Sequence, residues 1–266
     1  MQPFTMKLPR PPLVSVIMPV YNNYAYLRES IQSILHQTFE DFEFIILDDC
    51  STEPIREVIE VFADPRIVMV RNERNIGCTR SLNRCLDLAR GRYIARQDSD
   101  DVSLPTRLQK QVARFSATVG LVSCWGYSIT AQGARIPEEQ DYYLMKQIRI
   151  SDQDIRRQIT QANFILGPGS IFTSKVFQRI GYYDESLYFA QDYNYWIRIL
   201  QHHDVQIVHE ELYLRRNHDR SSRKLRPHLR AVNWNQLCNE RARAFPVLTR
   251  ADFATLNFSE EADGVR

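Results

Sequence analysis

The chain has 266 residues, 44% of them hydrophobic, which is enough apolar sequence for the core of one large α/β domain. Its 34 basic and 32 acidic residues give a formal charge of +2, a balance that does not favour nucleic acid as a partner. The sequence has five cysteines without a C-x-x-C spacing, no apolar run long enough to span a membrane and no apolar signal segment near its N-terminus. We therefore expect a cytoplasmic protein with free thiols.

Strands and helices alternate regularly in the first half of the sequence. After an irregular, Pro-rich lead-in at 1–12, apolar and β-branched runs predict strands, and apolar residues at helical spacing predict helices between them. The predicted strands are 14–18, 42–47, 67–70 and 93–95, and the predicted helices are about 26–37, 52–62 and 82–89, the second of them capped by Ser51 or Thr52. This order predicts a Rossmann-like, mostly parallel central sheet flanked by helices.

Acidic residues follow two of these strands. Asp48 and Asp49 end the second strand, and Asp98, Asp100 and Asp101 follow the fourth. Loops at the carboxyl ends of parallel strands gather on one edge of the sheet, where α/β proteins bind ligands. Neighbouring carboxylates repel one another unless a cation neutralises them, and Mg²⁺ or Mn²⁺ held by one or two carboxylates also binds phosphate oxygens. The pattern indicates a metal–diphosphate site; the alternative is a solvated acidic turn that caps the next helix.

The loop after the first strand carries an aromatic candidate for nucleotide binding. Tyr21 follows Pro19 at the end of that strand, and its ring can stack on a nucleobase. Asp49 can accept hydrogen bonds from a base or a ribose. Asp48 beside it could instead be the N-cap of the following helix.

The regular alternation weakens in the second half of the chain. The elements predicted there are strands at 121–125 and 205–208 and helices at about 150–159 and 227–245. Gly167 and Gly169 flank a proline between apolar residues. This pattern indicates either a close approach of the backbone to a ligand or a simple turn or bulge.

Two further segments carry chemically useful residues. Asp192 falls in the first turn of a predicted helix, where an acid is an ordinary cap, but among the surrounding aromatic residues it could equally be a general base in a sugar-sized pocket. The spacing does not decide between these two roles. The stretch 215–224 is strongly basic and could offset the charge of a leaving diphosphate; the alternatives are a solvated loop and a patch for an anionic membrane.

Together these residues resemble the family 2 glycosyltransferases of the GT-A fold, most of all the small bacterial SpsA-type enzymes. The resemblance runs from about Val14 to Ser222. Its carriers are V-S-V-I-M-P-V-Y-N at 14–22, S-I-L-H-Q-T-F at 33–39, F-E-F-I-I-L-D-D at 42–49, N-I-G at 75–77, G-R-Y at 91–93, D-S-D-D at 98–101 with Pro105 and Arg107-Leu108, and Gln191-Asp192. Several ordered motifs at suitable spacing make the resemblance specific.

The resemblance implies the inverting transfer of a sugar from a nucleotide-diphosphate donor, most often a UDP-sugar, to an acceptor hydroxyl, with Mn²⁺ or Mg²⁺ as cofactor. Carried over by position, it assigns the catalytic base to Asp192. It also places nucleotide-binding residues at Pro19, Tyr21, Asp48, Asp49, Arg80 and Asp98, metal-binding residues at Asp100 and His218, and an R-x-H-x-x-S segment that closes over the diphosphate at Arg216 to Ser221.

Two departures from the family pattern bear on function. Many relatives have Glu where this chain has Gln191, and the Q-x-x-R-W motif and membrane segment of processive synthases are both absent, so a processive synthase is not expected. The alternative that Gln191 favours is a catalytically inactive nucleotide-sugar-binding or scaffold protein of the same fold. A third interpretation is a nucleotidyltransferase. Such enzymes usually have a Gly-rich phosphate loop after the first strand, and this sequence does not have one there.

The resemblance also divides the chain. It implies a nucleotide-sugar-binding half at 13–116, an acceptor-binding and catalytic half of the same domain at 117–222, and a C-terminal helical tail at 223–266. The expected acceptor is a saccharide or lipid-linked saccharide of bacterial surface polysaccharide synthesis. Such an acceptor would bring the enzyme into peripheral contact with the inner membrane face.

Overall fold

The computed structural model describes residues 10–141, 155–159, 162–187, 189–220 and 236–240 of the chain. Within these ranges the strands are β1 (Val14–Val20), β2 (Phe42–Asp48), β3 (Ile67–Arg71), β4 (Tyr93–Arg96), β5 (Val102–Ser103), β6 (Val119–Thr130), β7 (Ile171–Thr173) and β8 (Asp204–Asn217). The helices are α1 (Tyr24–Leu35), α2 (Ile55–Glu60), α3 (Cys78–Leu88), α4 (Arg107–Val112), α5 (Ile155–Gln158), α6 (Ser174–Ile180) and α7 (Gln191–Leu200), with a 3₁₀ turn at Glu138–Gln140 and a helical segment at 236–240. No helix in these ranges is long and apolar enough to cross a bilayer.

All eight strands belong to one sheet, in the order β3-β2-β1-β4-β7-β6-β8-β5. The first four strands in this order are parallel to one another. Strand β7 then runs antiparallel to both β4 and β6, β8 lies parallel to β6, and β5 is antiparallel to β8 at the edge. The predicted mixed α/β fold with a Rossmann-like parallel half is therefore confirmed, and a single sheet joins the two halves of the chain.

Alternation along the strands explains why both faces of the sheet are covered. In β1, Ile17 belongs to the core cluster on one face, whereas Val16 and Met18 belong to the cluster on the other face. The Ile17 cluster includes side chains from α3, α6 and α7, and the Val16 cluster includes side chains from α1 and α2. Strands buried on both faces read as continuous apolar runs, and this is the reason that β1, β2 and β4 can be recognised in the sequence.

The second half departs from the predicted elements. Strand β8 continues to Asn217, so the alternative of a solvated loop for the basic stretch does not apply to residues 215–217; pairing with β6 up to Thr130 holds them in the sheet. Strands β5 and β7 were not predicted, because two or three residues are too few for a periodic pattern, and the seven-residue helix α6 was not predicted either. The predicted cap at Ser51 or Thr52 is also wrong, since α2 begins at Ile55.

Two predicted helices fall largely outside the described ranges. Of the helix predicted at 150–159, the structure describes only 155–159, where α5 is found. Of the helix predicted at 227–245, it describes 236–240, which is helical.

The amino-terminal ends of the strands are tied together by one buried carboxylate. Glu43 lies opposite Ser15 in the β1–β2 register and accepts a hydrogen bond from its hydroxyl at 2.6 Å. It also accepts the backbone N–H of Arg90 at 2.9 Å and an ion pair from the Arg90 guanidinium at 2.6 Å. Several donors would lose their acceptor together if this carboxylate were removed.

We expect Glu43→Ala to lower the free energy of unfolding by about 2–4 kcal/mol, because it leaves buried donors unsatisfied. Its effect on nucleotide affinity should be small, since Glu43 lies at the opposite end of β2 from Asp48. Urea denaturation measures the loss, and Glu60→Ala, which removes an exposed i,i+4 pair with Arg56, is the control with an expected change below about 0.5 kcal/mol. Equal losses in the two variants would contradict the role given to Glu43.

Candidate active site at the carboxyl edge of the sheet

The loops predicted to meet at one edge of the sheet do meet there. Strand β1 lies between β2 and β4, and all three run in the same direction. Val20 at the end of β1 pairs with Asp48 at the end of β2, and the acidic loop follows β4 beside them. The carboxyl ends of these strands therefore present Tyr21, Asp48–Asp49 and the loop 97–101 side by side.

Asp48 and Asp49 are both buried and both hold the backbone of their own edge. Asp48 accepts the backbone N–H of Ser51 at 2.9 Å and forms an ion pair with Arg71. Asp49 accepts the amide of Asn72 at 2.6 Å and the backbone N–H of Gly77 at 2.8 Å. Gly77 has a φ of +87°, which glycine tolerates best, and it immediately precedes α3. Asp48 thus holds the turn after β2 and Asp49 the turn that starts α3, and contact of either residue with a nucleotide stays a prediction.

Tyr21, the aromatic candidate for stacking on a nucleobase, lies in a loop that is hydrogen-bonded to the loop after β2. The neighbouring Asn22 donates its backbone N–H to the Ser51 hydroxyl at 3.0 Å, and its side-chain oxygen accepts the N–H of Thr52 at 2.8 Å. These bonds join the loops after β1 and β2. Tyr21 remains 50% exposed, so its ring is available for stacking, while Pro19 is a half-buried member of β1.

Arg80 lies on α3 and faces the segment before α7. Its Nε atom donates to Glu185 at 3.1 Å, and the amide of Asn83 donates to the same carboxylate at 3.0 Å. The guanidinium therefore joins α3 to residue 185 in this structure. Its predicted place beside the base or diphosphate stays a prediction.

A buried glutamine sets the shape of the acidic loop. Gln97 donates from its amide to the Ser30 hydroxyl at 3.1 Å and to the carbonyl of Asp101 at 3.0 Å. It accepts the Ser103 hydroxyl at 2.6 Å. The backbone N–H of Asp98 meanwhile donates to the hydroxyl of Tyr213 at 3.1 Å. The three carboxylates are consequently held on a rigid turn and are not spread out by their mutual repulsion.

The crowding of these acids perturbs their ionisation. Burial raises the pKa of Asp101 well above its ordinary value, and the neighbouring charges of Asp100 and Asp98 raise it further. Burial also raises the pKa of Asp98, although the guanidinium of Arg96 opposes that shift. A bound cation would relieve this repulsion.

His218 closes onto the acidic loop from the end of β8. Its Nε2 atom lies 2.8 Å from Oδ2 of Asp100, and its ring packs against Tyr26 with the centroids 4.7 Å apart. The His218 Nδ1 atom is buried and has no hydrogen-bond partner in the described part of the chain. Arg216 donates to the carbonyl of Asp100 at 2.9 Å and so fixes the approach of this segment. The two predicted metal residues therefore touch, whereas Ser221 lies outside the described residues.

Asp100 and His218 are suited to a cation that takes its other ligands from a bound substrate and from water. In the described ranges no three His, Cys, Asp or Glu side chains are arranged to hold an ion by themselves. Asp100 and His218 supply one carboxylate and one imidazole. A hard divalent cation with so few protein ligands is completed by water and phosphate oxygens, as is usual for Mg²⁺ at diphosphate sites.

Asp192 lies at the start of α7 with its two carboxylate oxygens in different surroundings. It lies in the first turn of α7, after Ala190 in the left-handed conformation, and its Oδ1 atom accepts the backbone N–H of Tyr193 at 2.7 Å. Its Oδ2 atom faces Gly167, where a Cβ atom would lie only 2.2 Å away. One oxygen thus serves the helix end, while the other points to the close approach at Gly167.

Arg96 lies close to both Asp192 and the acidic loop. This guanidinium is 3% exposed at the end of β4, and its Nη2 atom lies 3.1 Å from Oδ1 of Asp98. Its Nη1 atom lies 3.3 Å from the position that a Cβ would take at Gly167, next to the Asp192 carboxylate. Burial alone would lower the pKa of Arg96, but the charges of Asp98 and Asp192 raise it above its ordinary value. Asp98 and Asp192 therefore lie at one site, with a buried cation between them.

Sequence reasoning gave Arg96 no role. The available signal is that Arg96 is a charged residue at the last position of an otherwise apolar strand, because such a side chain is buried only with a partner. The possible close approach at Gly167 was noticed, but its partner, Asp192, lies 25 residues further along the chain and cannot be identified from the local sequence.

The comparisons with known proteins agree with this geometry. Residues 15–181, more than half of the chain, match the family described as glycosyl transferase family 2. This chain belongs to that family. It is 36% identical over 208 residues to an uncharacterized glycosyltransferase of Methanocaldococcus jannaschii, covering 76% of this chain and 69% of that protein. It is 30% identical over 191 residues to the putative colanic acid biosynthesis glycosyl transferase WcaA of Escherichia coli, covering 71% of this chain and 66% of that protein.

Solved structures show the same fold in other glycosyltransferases. The mannosyltransferase PcManGT of Pyrobaculum calidifontis, in complex with GDP-Man and Mn²⁺, matches 92% of this chain and 79% of its own with a TM-score of 0.65 at 17% identity. S. aureus TarS 1–349, in complex with UDP-GlcNAc, matches 77% of this chain and 58% of its own with a TM-score of 0.62 at 21% identity. The resemblance to a family 2 glycosyltransferase with the GT-A fold is therefore confirmed.

Gly167→Ala tests whether Asp192 must keep its place in this glycosyltransferase. The new Cβ would displace the Asp192 carboxylate, so we expect catalytic turnover to fall by at least about tenfold while nucleotide affinity changes little. Steady-state kinetics and calorimetry measure the two quantities.

Gly169→Ala is the matched control. Its Cβ would meet the Leu166 side chain at 2.6 Å, which strains the same loop without touching Asp192. We expect both variants to lose stability but only Gly167→Ala to lose turnover. Equal turnover in the two variants would show that the approach to Asp192 is unimportant.

Proposed function

We propose that this protein transfers a sugar from a nucleotide-diphosphate donor to an acceptor hydroxyl with inversion at the anomeric carbon, in a reaction that depends on Mn²⁺ or Mg²⁺. The observation that carries the proposal is the arrangement around Arg96, which puts the acidic loop and Asp192 at one site. Inversion requires a base on one side of the anomeric carbon and a stabilised leaving group on the other. Asp192 supplies the first, and the loop 98–101 with His218 supplies the second.

The nucleoside would bind at the ends of β1 and β2. The exposed ring of Tyr21 offers a stacking surface for the base, beside Pro19. Asp49 and Asp98 have carboxylates suited to base and ribose donors, whereas the fully buried Asp48 supports the turn beneath them. A UDP-sugar is our first choice of donor, and the TarS complex with UDP-GlcNAc is consistent with it. The GDP-Man complex of PcManGT makes guanosine donors the main competitor.

Asp100 and His218 are the residues proposed to hold the divalent cation. When bound, such an ion offsets the charge that develops on the departing diphosphate. Of the two ring nitrogens of His218, Nε2 faces Asp100 and is the one proposed to bind the cation. Arg216 keeps this histidine over the loop through its bonds to Asp100 and to the Glu29 carboxylate at 2.5 Å. The Mn²⁺ in the PcManGT complex supports a metal of this class.

Asp192 is the proposed general base. An acceptor hydroxyl is a poor nucleophile at neutral pH, so a positioned carboxylate that takes its proton raises the rate by about 10²–10⁴. The Oδ2 atom is suited to this task because Oδ1 is already held by Tyr193. Gln191, which replaces the glutamate of many relatives, begins the same helix and leaves Asp192 as the acid of its first turn.

The acceptor is proposed to be a saccharide or a lipid-linked saccharide that binds along residues 117–222. The support is the similarity to glycosyltransferases of bacterial surface polymers, among them the putative teichuronic acid glycosyltransferase TuaG of Bacillus subtilis, which is 40% identical over 123 residues and is covered over 49% of its length. Peripheral contact with a membrane would follow from a lipid-linked acceptor.

The first test of this function removes the proposed base. We expect Asp192→Asn to keep its affinity for the nucleotide-sugar but to lose transfer by at least about a hundredfold, because the amide cannot take a proton. Transfer is assayed against a panel of acceptors, with the anomeric configuration of the product read by NMR. Asp184→Asn, an acid upstream of the same helix, is the control for general effects on stability. Near-normal transfer by Asp192→Asn would remove Asp192 from this role.

The second test removes the proposed metal ligand. We expect Asp100→Ala to abolish the gain in nucleotide affinity that Mn²⁺ gives the unaltered protein, while Asp41→Ala at the exposed surface keeps that gain. Calorimetry with and without Mn²⁺ measures both. An unchanged Mn²⁺ effect in Asp100→Ala would overturn the metal assignment.

The same measurements also test the alternative that the protein is catalytically inactive. A nucleotide-sugar-binding or scaffold protein would bind donor but show neither transfer nor donor hydrolysis with any acceptor. Donor turnover by the unaltered protein excludes it.

A further inference from the structure

We propose that Arg96 is a positioning residue, whose buried positive charge holds the base Asp192 and the loop residue Asp98 in one arrangement and so couples the base to the donor site. This inference rests on the function proposed above. Arg96 does not touch the substrate in this scheme, because its Nε and Nη1 atoms are enclosed by protein. Its effect is exerted through the two carboxylates on either side of it.

The surroundings of Arg96 differ from those of two other buried arginines, Arg107 and Arg198. Arg107 donates to the carbonyls of Arg96 and Pro168, and Arg198 donates to the carbonyls of Ile180 and Tyr182. Burial lowers the pKa of both, and for Arg198 to about 10. Arg96 instead has a carboxylate at 3.1 Å and a second one across Gly167, and its pKa is raised. The positive charge of Arg96 is therefore balanced by nearby carboxylates.

Arg96, Asp98 and Asp192 belong to different elements of the fold. Arg96 ends β4, which is held between β1 on one side and β7 on the other. Asp98 belongs to the loop after β4, and Asp192 belongs to α7, which reaches the site from the second half of the chain. A guanidinium anchored in the middle of the sheet gives both carboxylates a common reference. Without it, two like charges would face each other in a half-buried place.

This arrangement predicts that loss of the charge at Arg96 affects catalytic turnover more than nucleotide binding. The proposed nucleotide contacts at Tyr21 and Asp49 depend on the ends of β1 and β2, and none of their hydrogen bonds involves Arg96 in the described part of the chain. Asp98 is also a proposed contact and is bonded to Arg96, but the hydrogen bonds of its backbone to Gln97 and Tyr213 do not depend on that guanidinium. Loss of the charge at 96 should therefore leave nucleotide affinity nearly intact. Turnover should fall, because Asp192 would no longer be held at the angle and distance that proton transfer requires.

Three substitutions separate the charge of Arg96 from its bulk. Arg96→Met keeps the apolar stem, Arg96→Gln keeps hydrogen-bond donors without charge, and Arg96→Lys keeps the charge in a smaller head group. We expect kcat to fall by at least about tenfold in the Met and Gln variants, with the donor KM and the nucleotide dissociation constant within about threefold of the unaltered protein, and to be partly restored in Arg96→Lys. Kinetics with a donor and acceptor that the unaltered protein turns over, together with calorimetry of UDP and Mn²⁺, give these values.

Arg198→Met is the matched control, because it removes from the helix that carries Asp192 a buried guanidinium that donates to the carbonyls of Ile180 and Tyr182. It should lower the melting temperature and leave kcat within about threefold. If Arg96→Met does not fold, the comparison of Gln with Lys decides: kcat for Gln equal to or above that for Lys overturns the inference, as does full turnover by either neutral variant. If the unaltered protein shows no donor turnover, the proposed function itself fails.

Discussion

The mutual repulsion of carboxylates at the carboxyl edge of the sheet is the constraint on which this structure depends. Asp98, Asp100 and Asp101 share a rigid turn, and Asp192 approaches them from α7. Such a concentration of acid in a half-buried place is unfavourable unless positive charge is present. The protein supplies the guanidinium of Arg96 within the cluster, and His218 lies against Asp100. A divalent cation and its diphosphate would complete the compensation in the proposed reaction.

The sheet order makes this cluster possible. Strand β4 lies at the junction between the parallel strands and the antiparallel β7, so the loop after β4 meets groups from both halves of the chain. Residues of β8 reach the same loop through Arg216 and His218. One continuous sheet thus brings the proposed nucleotide-binding edge and the candidate base together. The family membership of the chain fits this architecture.

The parts of the fold that could be predicted are those with local signals. Strands β1, β2 and β4 are continuous apolar runs, and the acids that end them lie at the predicted edge. Strands β5 and β7 and the extension of β8 depend on partners far away in the sequence, so their short or basic segments carry no periodic signal. The contact between Gly167 and Asp192 and the ion pair of Arg96 are likewise tertiary. Motif resemblance indicated which acids matter, whereas only the folded chain indicates which groups hold them in place.

The most direct test of the central claim is a crystal structure of the protein with an unreactive nucleotide-sugar analogue and Mn²⁺. We expect the diphosphate and the ion to lie against Asp100 and His218, with the face of the anomeric carbon opposite the diphosphate turned toward Oδ2 of Asp192. The nucleoside should lie beside Tyr21. A complex in which the sugar points away from Asp192, or in which the nucleotide binds at another edge of the sheet, would contradict a single site built around these opposed carboxylates.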